Sequence, residues 1–434
     1  MASEPPPPPP IPSTATTTLA TAADGTTTTI SSLGQDQLLD IFLRLPNLPD
    51  LVRAALTCRS WIGAVRSSPS FRRQFRALHP APLLGIFLGV DDGTAPSFAP
   101  LRRSDPVVTA ALHHGDFFLT SLPLDDAWTV TDCRGGYVLL WNKCWAVAAV
   151  NPMTWAVDVI SFPDDMADGS LRDFAFLGFH LLTSDENPRS FRVVCLCADV
   201  SRVRAAVFSS ETSDWAVHPW VEIGGDNSLK YGAGTLVDGS VYWPFYGEGR
   251  IIRINTTTMD VSSVDLPSQE IDYWQDDFVV GDTKDGELCM VYASDDFLLH
   301  VWIRSVDGDG IVTWARQNII SFSAQIDQVT DCREGRVLLW NLLDWTQVAV
   351  LNPLTSALDF LPMPLDDMFA GSGDEYSFLG FHLLCSGENP SSSFGVICVC
   401  WDVSRVRAAA FSSETWEWAF HPWVHISAEL QTGG

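Results

Sequence analysis

The sequence predicts separate α and β domains: a small three-helix module, then an all-β, propeller-like domain of about seven blades. Three observations lead there. Apolar residues recur at helical spacing between Leu33 and Trp61, and the period changes to two after residue 83. Residues 131–221 recur as 330–424. Inside that duplication a shorter unit repeats, opened by Asn and closed by Pro, at Asn151–Pro163, Asn255–Pro267 and Asn352–Pro364.

Residues 1–31 are proline-rich, then rich in Thr and Ala. Such a stretch buries too little apolar area to offset its ordering entropy and is expected to be a disordered tail. It has many hydroxyl residues, as organelle transit peptides do, but it lacks arginine and carries Glu4 and Asp24.

The helical module is expected over residues 32–79. Leu38, Leu39, Ile41, Phe42 and Leu45 make one face of a first helix, with Gln35, Asp36, Asp40 and Arg44 opposite. Ser32 with Gln35 reads as a capping box, and Pro46 stops the ladder. Pro49 suits the first turn of a second helix carrying Leu48, Leu51, Val52, Ala55 and Leu56. Cys58, Trp61, Ile62 and Val65 mark a third, and Ser68-Pro69 opens a fourth on Phe71, Phe75 and Leu78. Helices this short and this apolar need a further surface to bury against.

The pattern Leu33, Leu38-Leu39, Ile41, Leu45-Pro46, Asp50-Leu51, Arg53, Cys58 and Trp61 closely resembles an F-box, and the continuation Pro69 to Leu84 resembles grass-type plant F-box proteins with a propeller-like C-terminal region. Gly34 stands where the family usually has proline. The resemblance implies docking on a Skp-type linker protein and, through it, a cullin in a ubiquitin ligase. The docking residues it implies are Leu33, Leu38, Leu39, Ile41, Phe42, Leu45, Pro46, Leu51, Val52, Leu56 and Trp61. The competing reading of the same helices is a small cap on the chain's own β domain.

The β domain is expected over residues 83–434, after the stiff His79-Pro80-Ala81-Pro82 connection and a first strand at Leu83–Val90. Its duplicated pieces include VLLWN at Val138 and Val337, FLGFHLL at Phe176 and Phe378, DVSRVRAA at Asp199 and Asp402, and HPWV at His218 and His421. Module spacing near fifty residues suits propeller blades better than a β-sandwich. A closed ring leaves few unpaired strand edges. Closure is expected to use a strand from near residue 83 or from the C-terminal end.

Formal net charge is -27, so phosphate backbones are repelled and a basic partner is favoured. No apolar run approaches the ~20 residues needed to span a bilayer, so no membrane partner is expected. Ten cysteines with no signal peptide lead us to expect a reducing compartment, cytoplasmic or nuclear. Lys143, Lys230 and Lys284 are the only lysines, which would make the chain a poor target for its own ligase.

Chemistry is sparse. His180, His382, His218 and His421 lie in apolar runs and read as core histidines. Cys195/Cys197 and Cys398/Cys400 share strand faces without the spacing of a zinc site. The acidic doublets, among them Asp164-Asp165 and Asp366-Asp367, read as exposed turns. Asp307 to Gly310 resembles a calcium loop but has Asn318 at its twelfth position. No cofactor or metal is expected. The expected function is a non-catalytic substrate adaptor whose loops, such as Asp164–Arg172, Glu222–Lys230 and Pro364–Asp374, choose a target protein. A ligase-independent binding scaffold and a propeller hydrolase or lectin are the rivals.

Overall fold

The computed structural model describes residues 33–79 and 84–425, apart from segments at 89–95, 101–105, 124–127, 143–145, 171–173, 185–186, 188, 200, 224–227, 230–233, 247–248, 268–277, 295–297, 307–311, 322–327, 342–346, 373–375, 386–392 and 403–404. The expected N-terminal tail, Ser32 and the Asp307–Gly310 turn lie outside the described residues. The chain divides into two compact units, Met1–Phe71 and Arg72–Gly434.

In the first unit α1 (Gln35–Leu43), α2 (Leu48–Leu56) and α3 (Arg59–Ser67) are followed by α4 (Pro69–Leu78), within which the division falls. The start of α1 differs from expectation. Gly34 is its N-cap, and Gln37 Oε1 accepts from the Gly34 N–H at 3.2 Å, so the capping glutamine is Gln37 and not Gln35. Asn47 caps α2, its side chain accepting from the Asp50 N–H at 2.9 Å, with Pro49 in the first turn. Leu38, Leu39, Phe42, Leu51, Ala55 and Ala64 are buried, and Phe42 meets Trp61 edge-on at 5.5 Å.

The second unit opens with β1 (Gly85–Leu88), β2 (Ser97–Pro100) and an unanticipated helix, α5 (Pro106–His114). Six antiparallel blades follow. Blade 1 is β3 (Trp128–Arg134), β4 (Tyr137–Asn142), β5 (Ala146–Asn151) and β6 (Ala156–Ser161). Blade 2 is β7 (Ala175–Thr183), β8 (Phe191–Ala198), β9 (Arg202–Ser209) and β10 (Asp214–Val217), with β11 (Val221–Glu222) also on β9. Blade 3 is β12 (Ser228–Leu229) and β13 (Thr235–Val237), both on β14 (Ser240–Tyr246), then β15 (Arg250–Asn255) and β16 (Val261–Asp265). Blade 4 is β17 (Phe278–Asp282), β18 (Leu288–Ser294), β19 (Leu298–Val306) and β20 (Val312–Ser321). Blade 5 is β21 (Gln328–Arg333), β22 (Arg336–Trp340), β23 (Val348–Asn352) and β24 (Ala357–Leu361). The short helix α6 (Leu365–Met368) leads into blade 6, which is β25 (Tyr376–Cys385), β26 (Phe394–Asp402), β27 (Arg405–Ser412) and β28 (Glu417–Phe420), with β29 (Val424–His425) on β27.

Apolar cores fill the space between each blade and the next. Leu139, Val147 and Ile160 of blade 1 meet Leu181, Val193 and Cys195 of blade 2, and the pattern continues around to blade 6. The ring is then closed by β1–β2. Ile86 and Ala99, paired in register, pack on Ile397, Val399 and Val406 of blade 6. Phe87, the next residue and so on the opposite face, packs with Leu119, Leu122 and Val138 in the core of blade 1. Among the described residues the seventh position therefore holds two strands, which reconciles six full blades with the roughly seven expected modules.

Candidate functional site

The two units carry different surfaces. On α2 the apolar residues fall into two rows. Leu51 and Ala55 are buried. Leu48, Val52 and Leu56, spaced by four and so on one helix face, are 57%, 46% and 66% exposed. Ile41 on α1 is also exposed, Pro46 lies at the surface between the two helices, and Leu33, Leu45 and Trp61 are partly buried. Of the expected docking residues, Leu38, Leu39, Phe42 and Leu51 are internal, so they can hold the helices in place but are not themselves offered to a partner. Leu48 lies on the apolar face of α2 and outside the expected docking set. Its exposure adds it, and the spacing of four from Val52 is the signal that could have found it.

In the propeller the duplicated residues build duplicated joints. At Thr131 and Thr330 the register of β3 and β21 shifts by a bulge. The following carboxylate reaches the next blade: Asp132 Oδ2 accepts from the Leu181 N–H at 2.8 Å, and Asp331 Oδ2 from the Leu383 N–H at 3.1 Å. On the outer strands, Trp215 Nε1 donates to the Ser161 carbonyl at 3.0 Å, Trp314 to Asp265 at 2.7 Å and Trp418 to Pro362 at 2.6 Å. These bonds tie blade 2 to 1, blade 4 to 3 and blade 6 to 5.

The DVSRVRAA and HPWV repeats form a clamp. Arg202 pairs with Asp199 at 2.6 Å and donates to the Gly169 carbonyl, while Arg204 donates to the Met166 carbonyl at 2.9 Å. Both guanidiniums lie near the Trp220 ring, whose Nε1 donates to the Asp168 carbonyl at 2.8 Å. In blade 6, Arg405 with Asp402, Arg407 and Trp423 hold Gly371, Met368 and Ala370 in the same way. The described parts of the 164–172 and 364–374 loops are thus pinned from beneath, with Asp164, Asp165, Asp366 and Asp367 exposed at their tips.

The histidines part company. His180 and His421 are buried and His218 is partly buried, but His382, expected in the core, is exposed. Burial pushes His180 down to about 4, partly offset by Asp132, whose Oδ2 is 3.3 Å from its Nδ1. Cys195 and Cys197 lie 3.6 Å apart in the blade 1–2 core. Burial pushes the Cys195, Cys398 and Cys400 thiols up. Among the described residues no group of His, Cys, Asp or Glu is arranged to hold a metal. A polar depression of about 240 Å³ on blade 2 is bordered by Thr183, Asn187, Arg192 and Glu211, with Asn187 Nδ2 donating to Glu211 Oε1 at 2.9 Å.

Comparisons with known proteins place both units. Residues 30–77 match the F-box-like family model, and residues 129–329 match the β-propeller model described as F-box protein AT5G49610-like. No curated protein matches the chain. Similar solved structures include a post-proline cleaving enzyme from Rickettsia typhi, 11% identical over 68% of this chain and 46% of that one, with a TM-score of 0.41. Another is the dihydro-heme d1 dehydrogenase NirN in complex with DHE, 9% identical over 68% of this chain and 53% of that one, with a TM-score of 0.37. The chain spans about half the length of these two structures. The helices of the first unit and the blades of the second together make this chain an F-box protein with a plant-type β-propeller.

Proposed function

We propose that the chain is the substrate-recognition adaptor of a Skp–cullin–F-box ubiquitin ligase, its helical unit docking on a Skp-type linker and its propeller presenting loops to a target protein. The observation that carries this is the exposed row Leu48, Val52 and Leu56, with Ile41 exposed on the neighbouring helix. Burying each such side chain contributes on the order of 1.5–3 kcal/mol, so a few suffice for a specific complex. The clamped loops favour recognition because a surface already held in place loses less entropy on binding.

In this reading the chain catalyses nothing and supplies proximity. The net charge of -27 favours a basic target. Nine unpaired cysteines among the described residues support a reducing location, cytoplasm or nucleus. The test is co-purification of a Skp-type linker with the Ile41→Asp, Leu56→Asp chain. Loss of the linker with an unchanged far-UV spectrum is expected; retention overturns the proposal. Exposed positions are required here, since Leu51→Asp would place a charge in a buried site.

A further inference from the structure

Two sulfurs on neighbouring blades are in contact. Cys289 lies on β18 of blade 4 and Cys332 on β21 of blade 5, 43 positions apart in the chain, with their Sγ atoms 3.1 Å apart. Both are buried in the apolar core that the two blades share, among Val291, Val329 and Leu339.

A glycine brings them together. Gly281 of β17 is the register partner of Cys289, so a side chain there would stand on the same face as Cys289. A Cβ at Gly281 would be 2.7 Å from Cys332 Cβ and 2.1 Å from the Cys332 carbonyl oxygen. Cys332 therefore takes the place beside Cys289 that a side chain at 281 would otherwise fill. The turn that follows Cys332 is fastened to blade 4: the Glu334 N–H donates to Asp282 Oδ1 and the Gly335 N–H to the Asp282 carbonyl, both at 2.9 Å. The two sulfurs are thus held at the separation from which a bond can form with little movement.

Other cysteines of the chain do not share this arrangement. Cys133, the duplicate of Cys332, lies on blade 1, which follows β1–β2 in place of a full blade, and it is exposed. Cys195 and Cys197 are 3.6 Å apart, but they are two residues apart on one strand. That puts their Cα atoms about 6.6 Å from each other, at the limit of what a disulfide spans. The joint between blades 4 and 5 also has no indole tie among the described residues, since those of Trp215, Trp314 and Trp418 join blades 1 and 2, 3 and 4, and 5 and 6.

We infer that Cys289 and Cys332 are a reversible redox site, which a small hydroperoxide oxidises to a disulfide that pins blade 4 to blade 5. One sulfur attacks a peroxide oxygen, the O–O bond breaks, and a sulfenic acid forms with release of one water. The second thiol attacks that sulfur, the S–O bond breaks, and a second water leaves. Two thiols give up two electrons and two protons, and one hydrogen peroxide becomes two waters. A dithiol reductant reverses the step. The Cys289 sulfur and burial hold the Cys332 thiol well above the usual range, so attack is slow and the pair rests reduced until peroxide rises. Disulfides in reducing compartments are of this transient, redox-sensing kind. The pair acts in this way whether or not the chain serves a ligase.

The test treats the full, folded chain with a small excess of hydrogen peroxide, then alkylates it in denaturant and digests it for mass spectrometry. A linked pair of peptides carrying Cys289 and Cys332 is expected, two hydrogens lighter than their sum and released by dithiothreitol. The oxidised parent should melt about 3 °C or more above the reduced parent. Cys289→Ala and Cys332→Ala should each lack both the link and the upward shift. Each variant is compared with its own reduced form, so that any loss from the truncation cancels. Cys195→Ala should keep both. Oxidation to sulfinic or sulfonic acid without the link overturns the inference, as does no reaction at either sulfur. A link from either residue to another cysteine, or one that forms only in denaturant, overturns it too. So does a link with no upward shift, because such a bond does not pin the joint.

Discussion

Asp132 Oδ2 accepts the Leu181 backbone N–H at 2.8 Å and so carries a hydrogen bond from blade 1 to the inner strand of blade 2. Asp132→Ala should leave that N–H without its acceptor and cost about 1–3 kcal/mol. Asp132→Asn keeps an acceptor oxygen and should cost less. Urea unfolding midpoints for the two variants check the order.

The buried His180 makes the fold acid-sensitive in a defined window. Its folded value near 4 lies below the ordinary 6.5, so the unfolded chain binds the extra proton first. Its contribution is therefore fully present above pH 6.5 and is lost as pH falls toward 4, by on the order of 3 kcal/mol. His180→Gln should flatten the pH dependence of stability across that window, measured against the parent at each pH.

Exposure separates two neighbours on α2. Leu51→Ala should destabilise the helical unit by about 2–5 kcal/mol, whereas Val52→Ala should change stability by less than about 0.5 kcal/mol. Differential hydrogen exchange over residues 35–67 reads both.

Cys58 is the expected site of first alkylation. It is exposed, and bonds from Ser60, whose Oγ lies 3.0 Å away, hold its thiol below the usual range. Cys195, Cys332 and Cys398 are buried with thiols pushed up, and should label only after unfolding. Mass spectrometry of chain treated with iodoacetamide, native and in denaturant, distinguishes them.

Gly85 opens the strand that closes the ring. A Cβ there would stand 2.3 Å from Phe98 Cζ and 2.5 Å from the Ala99 carbonyl oxygen, and the backbone atom cannot swing aside. Gly85→Ala should cost about 1–3 kcal/mol and expose the blade 6 face to protease before the rest of the propeller. Limited proteolysis with N-terminal sequencing of the fragments checks it.

Much of this architecture was legible in the residues. Asn151, Asn255 and Asn352 do turn the chain, their side chains accepting from Thr154, Thr258 and Thr355 N–H groups, as short polar side chains at turns do. The helices began and ended near Pro46, Pro49 and Pro69 because proline constrains the backbone by itself. What the sequence hid depends on neighbours distant in the chain. Leu177 and Leu379 sit in the same repeated heptapeptide, yet Leu177 packs against blade 3 and is buried while Leu379 is exposed. The same holds for Leu51 and Val52, which periodicity places on one apolar helix but does not sort into inside and outside. The seventh position is short for a related reason: residues 84–127 have the length of a module but spend part of it on α5.

The seam at β1–β2 has a consequence for how the chain is made. Ile86 leaves the ribosome early, yet the residues that shield it, Ile397 and Val399, are translated about three hundred positions later. The earliest strands of the ring are thus the last to be enclosed on both sides, and until then two apolar strands stand open to solvent. A nascent chain of this kind should lean on chaperones through most of its synthesis, and be released from them when blade 6 emerges.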